Sequence, residues 1–178
     1  MAKRLFLLHL GPDTVDVAAM TEELARAGVC VPATEAGTHE RAAVEIRRSH
    51  KAAGLRRKHV EGAWASLCRS ARRAKADCFV SMPDFFDAAP EQAALALDGL
   101  AGFRVVLVVT SGFTTEPPVA WTSLVAEGRP HVLPSLLSAE QLGAQVARIA
   151  LIEQQAGRGR RPARIARRRR VPGRRLAA

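Results

Sequence analysis

The chain has no tyrosine, two tryptophans and six phenylalanines, so aromatics make up 4% of the residues while apolar residues make up 48%. A core of that composition rests on Leu, Val, Ile and Ala, as in parallel sheets flanked by helices. Long apolar runs are missing too. No stretch reaches the roughly 20 residues that span a bilayer, and Lys3-Arg4-Leu5-Phe6-Leu7-Leu8 passes into His9 without a cleavage-like site. These absences set the expectation of a cytoplasmic protein with no membrane partner. Cysteine is scarce: Cys30, Cys68 and Cys78 are odd in number, far apart in sequence and free of zinc-binding or redox spacings. Small buried hydrophobes are the reading that fits them. Negative charge is absent from the end of the chain, where residues 158–178 hold ten arginines and no Asp or Glu. The net charge of the whole is +10, so residues 1–157 are close to neutral and the high isoelectric point belongs to the tail.

What is present alternates between two periods. Leu5 to Leu10 is a short continuous apolar run before Gly11-Pro12, the pattern of a strand buried on both faces. Val17, Met20, Leu24 and Ala27 then recur at helical spacing, with Asp13 or Thr14 as the cap and Gly28 as the stop. Val29-Cys30-Val31 reads as a strand, residues 38–53 as a polar helix with a basic face, and Val60 to Ala74 as an amphipathic helix leading into the strand Cys78 to Ser81. Pro90 opens a helix that runs to Gly102. Arg104 to Thr110 has the unbroken β-branched run of a central parallel strand. Ser138 and Gln141 form a capping box for a final helix reaching Gly157. Strands alternating with helices predict an α/β domain over residues 1–157, a parallel sheet with helices on its faces. Residues 158–178 form an arginine-rich tail with almost nothing apolar to bury, expected to be disordered alone. Ligands of such sheets bind beyond the carboxyl ends of the strands, which points to segments 9–17, 81–87 and 110–118.

The first of these, His9-Leu10-Gly11-Pro12-Asp13-Thr14-Val15-Asp16-Val17, lies where nucleotide-binding folds carry a phosphate loop. It resembles the start of sulfotransferase-like proteins of the P-loop fold, which open with a strand, His-Ile-Gly and a Pro-Lys-Thr-Gly-Thr-Thr loop. The resemblance continues through Phe79-Val80-Ser81, Ala89 to Ala93, the strand Val105 to Thr110, and Trp121, about two thirds of the chain. It implies a three-layer domain that binds 3'-phosphoadenosine 5'-phosphosulfate and transfers its sulfuryl group to a hydroxyl or amine. In that family the loop N–H groups and helix N-terminus hold the phosphosulfate and a lysine neutralises the bridging oxygen. Gly11, Pro12 and Thr14 keep this pattern, while Asp13 stands in the lysine position and Val15 and Asp16 replace glycine and threonine. The arginine that the family places after the fourth strand is missing from Thr110-Ser111-Gly112-Phe113, which leaves Ser111 as the remaining candidate for the 3'-phosphate. Exchanging lysine for aspartate moves the local charge by two units and opposes an anion. A degenerate sulfotransferase-like domain, inactive or with an altered phosphonucleotide or anion ligand, is the first expectation.

Other residues carry competing readings. Asp13, Asp16, Asp84 and Asp87 fit either a Mg²⁺ site at the strand ends or helix-dipole and turn roles. His9 fits either a general base over the crevice or a hydrogen-bonded structural histidine. Residues 41–75 hold eleven Lys and Arg against two Glu. Within them, Arg47, Arg48, Lys51, Arg56, Arg57 and Lys58 fit a solvated face or an anion-binding patch. The tail, with Arg167, Arg168, Arg169 and Arg170 at its centre, fits a solvated segment or nonspecific binding of nucleic-acid phosphates without base stacking. The second expectation is therefore an accessory nucleic-acid-binding protein acting through the tail and segment 41–58.

Overall fold

The computed structural model describes residues 3–11, 15–111, 119–125 and 130–159. Five parallel strands form one sheet in the order β2-β3-β1-β4-β5. They are β1 (Leu5–Leu10), β2 (Val29–Cys30), β3 (Asp77–Ser81), β4 (Arg104–Ser111) and β5 (His131–Pro134). The helices are α1 (Val17–Arg26), α2 (Thr38–Arg47), α3 (Ala63–Ala74), α4 (Pro90–Gly99), α5 (Val119–Thr122) and α6 (Ala139–Gly159). None of the described helices is long and apolar enough to cross a membrane.

β1 is buried at all six positions because it is the middle strand and is covered on both faces. Its side chains alternate: Phe6, Leu8 and Leu10 join the core made with α2, α3, α4 and Trp121, whereas Leu5 and Leu7 join the core made with α1 and α6. β4 alternates in the same way, with Leu107 and Val109 in the first core and Val106 and Val108 in the second. Three layers result, helix on sheet on helix. Right-handed crossovers account for which helices lie where. The step from β1 to β2 runs one way along the sheet and places α1 on one face. The steps from β2 through β5 run the other way and place α2 to α5 on the opposite face.

Several boundaries differ from the sequence expectations. Asp16 is the cap of α1, its carboxylate accepting from the N–H groups of Ala18 (3.0 Å) and Ala19 (3.2 Å). α2 stops at Arg47, not near Ala53, because Arg48 takes a left-handed conformation (φ 54°) that closes the helix. The chain then makes turns and a single 3₁₀ turn at Arg57–His59 before α3. α4 ends at Gly99, and Gly102, with φ 96°, makes the bend into β4. β5 was not expected. It is a four-residue edge strand paired with Val108 to Ser111. α6 continues through Gly159, two residues beyond the expected domain end. The tail beyond it lies outside the described residues.

Candidate functional site

The first residues of the three carboxyl-end segments meet in one buried cluster. β1 pairs with β3 so that His9 stands beside Ser81, and on the other side β4 presents Thr110, two residues beyond the register partner Val108, within reach of the ring. His9 Nδ1 lies 2.9 Å from Ser81 Oγ and Nε2 lies 3.0 Å from Thr110 Oγ1. All three belong to the face covered by α1 and α6, and His9 is fully buried. Its ring stacks on Phe79 with centroids 6.2 Å apart. Burial pushes its pKa down to about 4, so the imidazole is neutral near pH 7. A neutral ring has one N–H and one lone pair, hence it donates to one hydroxyl and accepts from the other. Both nitrogens are occupied and the ring has no exposed surface, so in this conformation His9 holds three strand ends together and presents no free basic nitrogen to a ligand.

Gly11 follows directly, and the cluster explains why no side chain stands there. A Cβ on residue 11 would come within 2.0 Å of Thr110 Oγ1 and 3.3 Å of His9 Nε2. Pro12 and Thr14, the other residues that keep the family pattern, lie outside the described residues, as does Asp13. Ser111 is buried, and its carbonyl accepts from the Ser135 N–H at 3.2 Å.

On the β2–β3 side of Gly11 a crevice of about 350 Å³ opens. Its lining comes from Val15 and Val17 at the entry to α1, the segment after β2, the start of α2 and the turn after β3, and it includes Thr34, Glu35, His39, Glu40, Ser81 and Asp84. Three carboxylates border it, and among the described residues neither lysine nor arginine does. Burial pulls the His39 pKa below its ordinary value despite the opposing pull of Glu40, which leaves this imidazole largely neutral as well. Asp87 is exposed and is not part of the lining. No group of three or more His, Cys, Asp or Glu among the described residues is placed to hold a metal ion. Asp16 serves as the helix cap instead.

The basic segment is elsewhere. Arg48 and Arg57 border a separate cavity of about 450 Å³ with Glu45, His50, Glu61 and Leu95. Glu61 is 3.7 Å from Arg57. Glu45 uses both carboxylate oxygens to accept from the N–H groups of Gly62 (2.7 Å) and Trp64 (2.8 Å), fixing the start of α3. Lys51, Arg56 and Lys58 are exposed and make no ion pair among the described residues. The carbonyl of Arg47 accepts from Gln92 Nε2 at 3.0 Å, which ties α2 to the first turn of α4. Arg167, Arg168, Arg169 and Arg170 lie outside the described residues.

Sequence reasoning missed a cavity of about 670 Å³ between the start of α2 and the outer side of α3. Arg41, His59, Ser66, Ser70 and Arg73 line it, and Thr34, Glu35 and Thr38 border both this cavity and the crevice. The surplus of Lys and Arg over residues 41–75 was its one signal in the sequence. No family model, curated protein or solved structure matches this chain.

Proposed function

We infer that the chain is a sulfotransferase-like P-loop domain that has lost its phosphosulfate site and acts as a binding domain without sulfuryl transfer. The observation that carries this reading is the lining of the carboxyl-end crevice. Glu35, Glu40 and Asp84 border it without a described lysine or arginine. A phosphate placed about 5 Å from one carboxylate meets a repulsion of roughly 3 kcal/mol at an effective dielectric constant near 20. Three carboxylates make the site hostile to a doubly phosphorylated nucleotide. Arg41 lies 3.9 Å from Glu35 but lines the neighbouring cavity, and Arg48 and Arg57 border another. With Asp13 in the place of the family's lysine, no described residue lining the crevice supplies a cation to stabilise the ground state or the departing bridging oxygen. The ligand of such a crevice is a polar molecule without net negative charge.

Calorimetric titration of the full chain with 3'-phosphoadenosine 5'-phosphate tests the reading. The expected result is no saturable heat at millimolar nucleotide, with circular dichroism confirming a folded chain. Micromolar binding that weakens when Gly11 is replaced would overturn it, and 3'-phosphoadenosine 5'-phosphosulfate would then return as the expected cofactor.

Lys51, Arg56 and Lys58, exposed and without an ion pair among the described residues, favour a second reading, nonspecific binding of nucleic-acid phosphates through this segment and the arginine tail. Ten tail arginines on a single strand give a salt slope as steep as about −7. Removing residues 160–178 is expected to abolish most of that slope in a fluorescence anisotropy titration with a labelled oligonucleotide. Equal affinity with and without the tail excludes its role.

A further inference from the structure

Cys30 and Cys78 are separated by 48 positions in sequence and stand side by side in the sheet. They are register partners on the neighbouring parallel strands β2 and β3, and their Sγ atoms are 3.5 Å apart. Adjacent strands lie about 4.8 Å apart, and a disulfide accommodates Cα separations of roughly 4.4–6.8 Å. The backbone spacing therefore already suits a bond, and the sulfurs have to close by about 1.5 Å. β2 has the freedom to give that distance, because it is an edge strand of two residues paired only with β3.

The two thiols differ in access. Cys78 is fully buried and its Sγ faces the carbonyls of Ala71 (3.6 Å) and Ala76 (3.5 Å), whereas Cys30 is half-buried at the sheet edge. Burial pushes the Cys78 thiol well above its ordinary pKa, which keeps it protonated near neutral pH. Cys68 is buried in α3 beneath α4, its thiol pushed up to about 11 by burial. It is the internal reference for an unreactive thiol.

We propose that Cys30 and Cys78 form a peroxide-responsive dithiol that closes to an intramolecular disulfide and fastens the edge strand β2 to β3. The Cys30 thiolate attacks one oxygen of hydrogen peroxide, giving a Cys30 sulfenic acid and, with the thiol proton, one water. The Cys78 sulfur then attacks the Cys30 sulfur and expels the hydroxyl, which leaves with the Cys78 proton as a second water. Two thiols and one peroxide become one disulfide and two waters, and a dithiol reductant reverses the change. The segment leaving β2 contains Ala33, Thr34 and Glu35, which border the cavity of about 670 Å³. Thr34 and Glu35 also border the crevice, so the disulfide steadies one wall of both.

The test treats the full chain with stoichiometric hydrogen peroxide, blocks remaining thiols with an alkylating agent and measures intact mass and digested peptides. The expected product has lost two of its three thiols and about 2 Da, and yields a cross-linked peptide pair holding Cys30 and Cys78. Hydrogen exchange across residues 31–37 slows in the oxidised form. Cys30→Ser keeps both remaining thiols under the same treatment. Three intact thiols, added oxygen on Cys30 with Cys78 still alkylated, or a covalent dimer each overturn the proposal. Peptide mapping of the wild-type chain decides between these outcomes even if the variant does not fold.

Discussion

Acidifying a solution of this protein from about pH 7.5 to about pH 5 is expected to remove about 2 kcal/mol of folding stability through His9 alone. The ring titrates at an ordinary 6.5 in the unfolded chain and at about 4 in the folded one. The unfolded state therefore binds the extra proton first. Stability from the neutral, buried ring is complete above the unfolded value, falls through the interval from 6.5 down to 4, and levels off below it. Each unit of difference is worth about 1.36 kcal/mol, so the full loss approaches roughly 3 kcal/mol, of which about two thirds has occurred at pH 5. The loss has a structural source: an imidazolium has two N–H groups and no lone pair, so the hydroxyl that donates to His9 must turn away. His39 and His131 are shifted down by burial as well and add in the same direction, so the measurement has to isolate His9. Urea unfolding across this pH range, wild type against His9→Gln, does so by difference: the wild-type curve falls more steeply. NMR of the histidine Cε1–H signals gives an independent reading on the wild-type protein, where the His9 signal stays flat down to about pH 5. Parallel stability curves, or a His9 signal with its midpoint near 6.5 in the folded protein, would refute the reasoning.

Three further outcomes follow from the same geometry. Gly11→Ala should cost about 1–3 kcal/mol by thermal or urea unfolding, because its Cβ lands 2.0 Å from Thr110 Oγ1. Adding Thr110→Ala should recover part of that loss, since the clashing atom is gone. Glu45→Ala should lower stability by about 1–2 kcal/mol, because it orphans the N–H groups of Gly62 and Trp64 at the start of α3. Asp16→Ala should cost about 1 kcal/mol, and Asp16→Asn, which can still accept from Ala18 and Ala19, should retain most of the wild-type stability.

How far the sequence could be read depended on whether the information was local. β1 and β4 declared themselves by runs that are apolar but for the polar residues at their carboxyl ends and Arg104, because a central strand covered on both faces needs apolar residues at nearly every position. α1 and α6 showed the spacing of a helix with one buried face. β5 carries no such pattern. Its four residues alternate between half-buried and exposed, and it becomes a strand only by pairing with β4. The early end of α2 was hidden because the left-handed position fell to Arg48, not to a glycine that would have marked it. His9 and Gly11 were visible as the junction between a strand and a loop. Their partners Ser81 and Thr110 come from 72 and 101 residues further along the chain, a distance no local pattern spans. The contact between Cys30 and Cys78 was hidden for the same reason: sequence spacing says nothing about register between strands.

Both borders of the sheet are short and studded with proline. β2 offers two residues and Pro32 stands just past its end; β5 is entered from Pro130 and finishes on Pro134. A neighbouring molecule that sought to add a strand would find few free N–H donors, since proline has none and a two-residue border supplies at most two. Self-association by continuous β-pairing is thereby discouraged on either flank, so the route to fibrils common to exposed borders is closed without a covering helix.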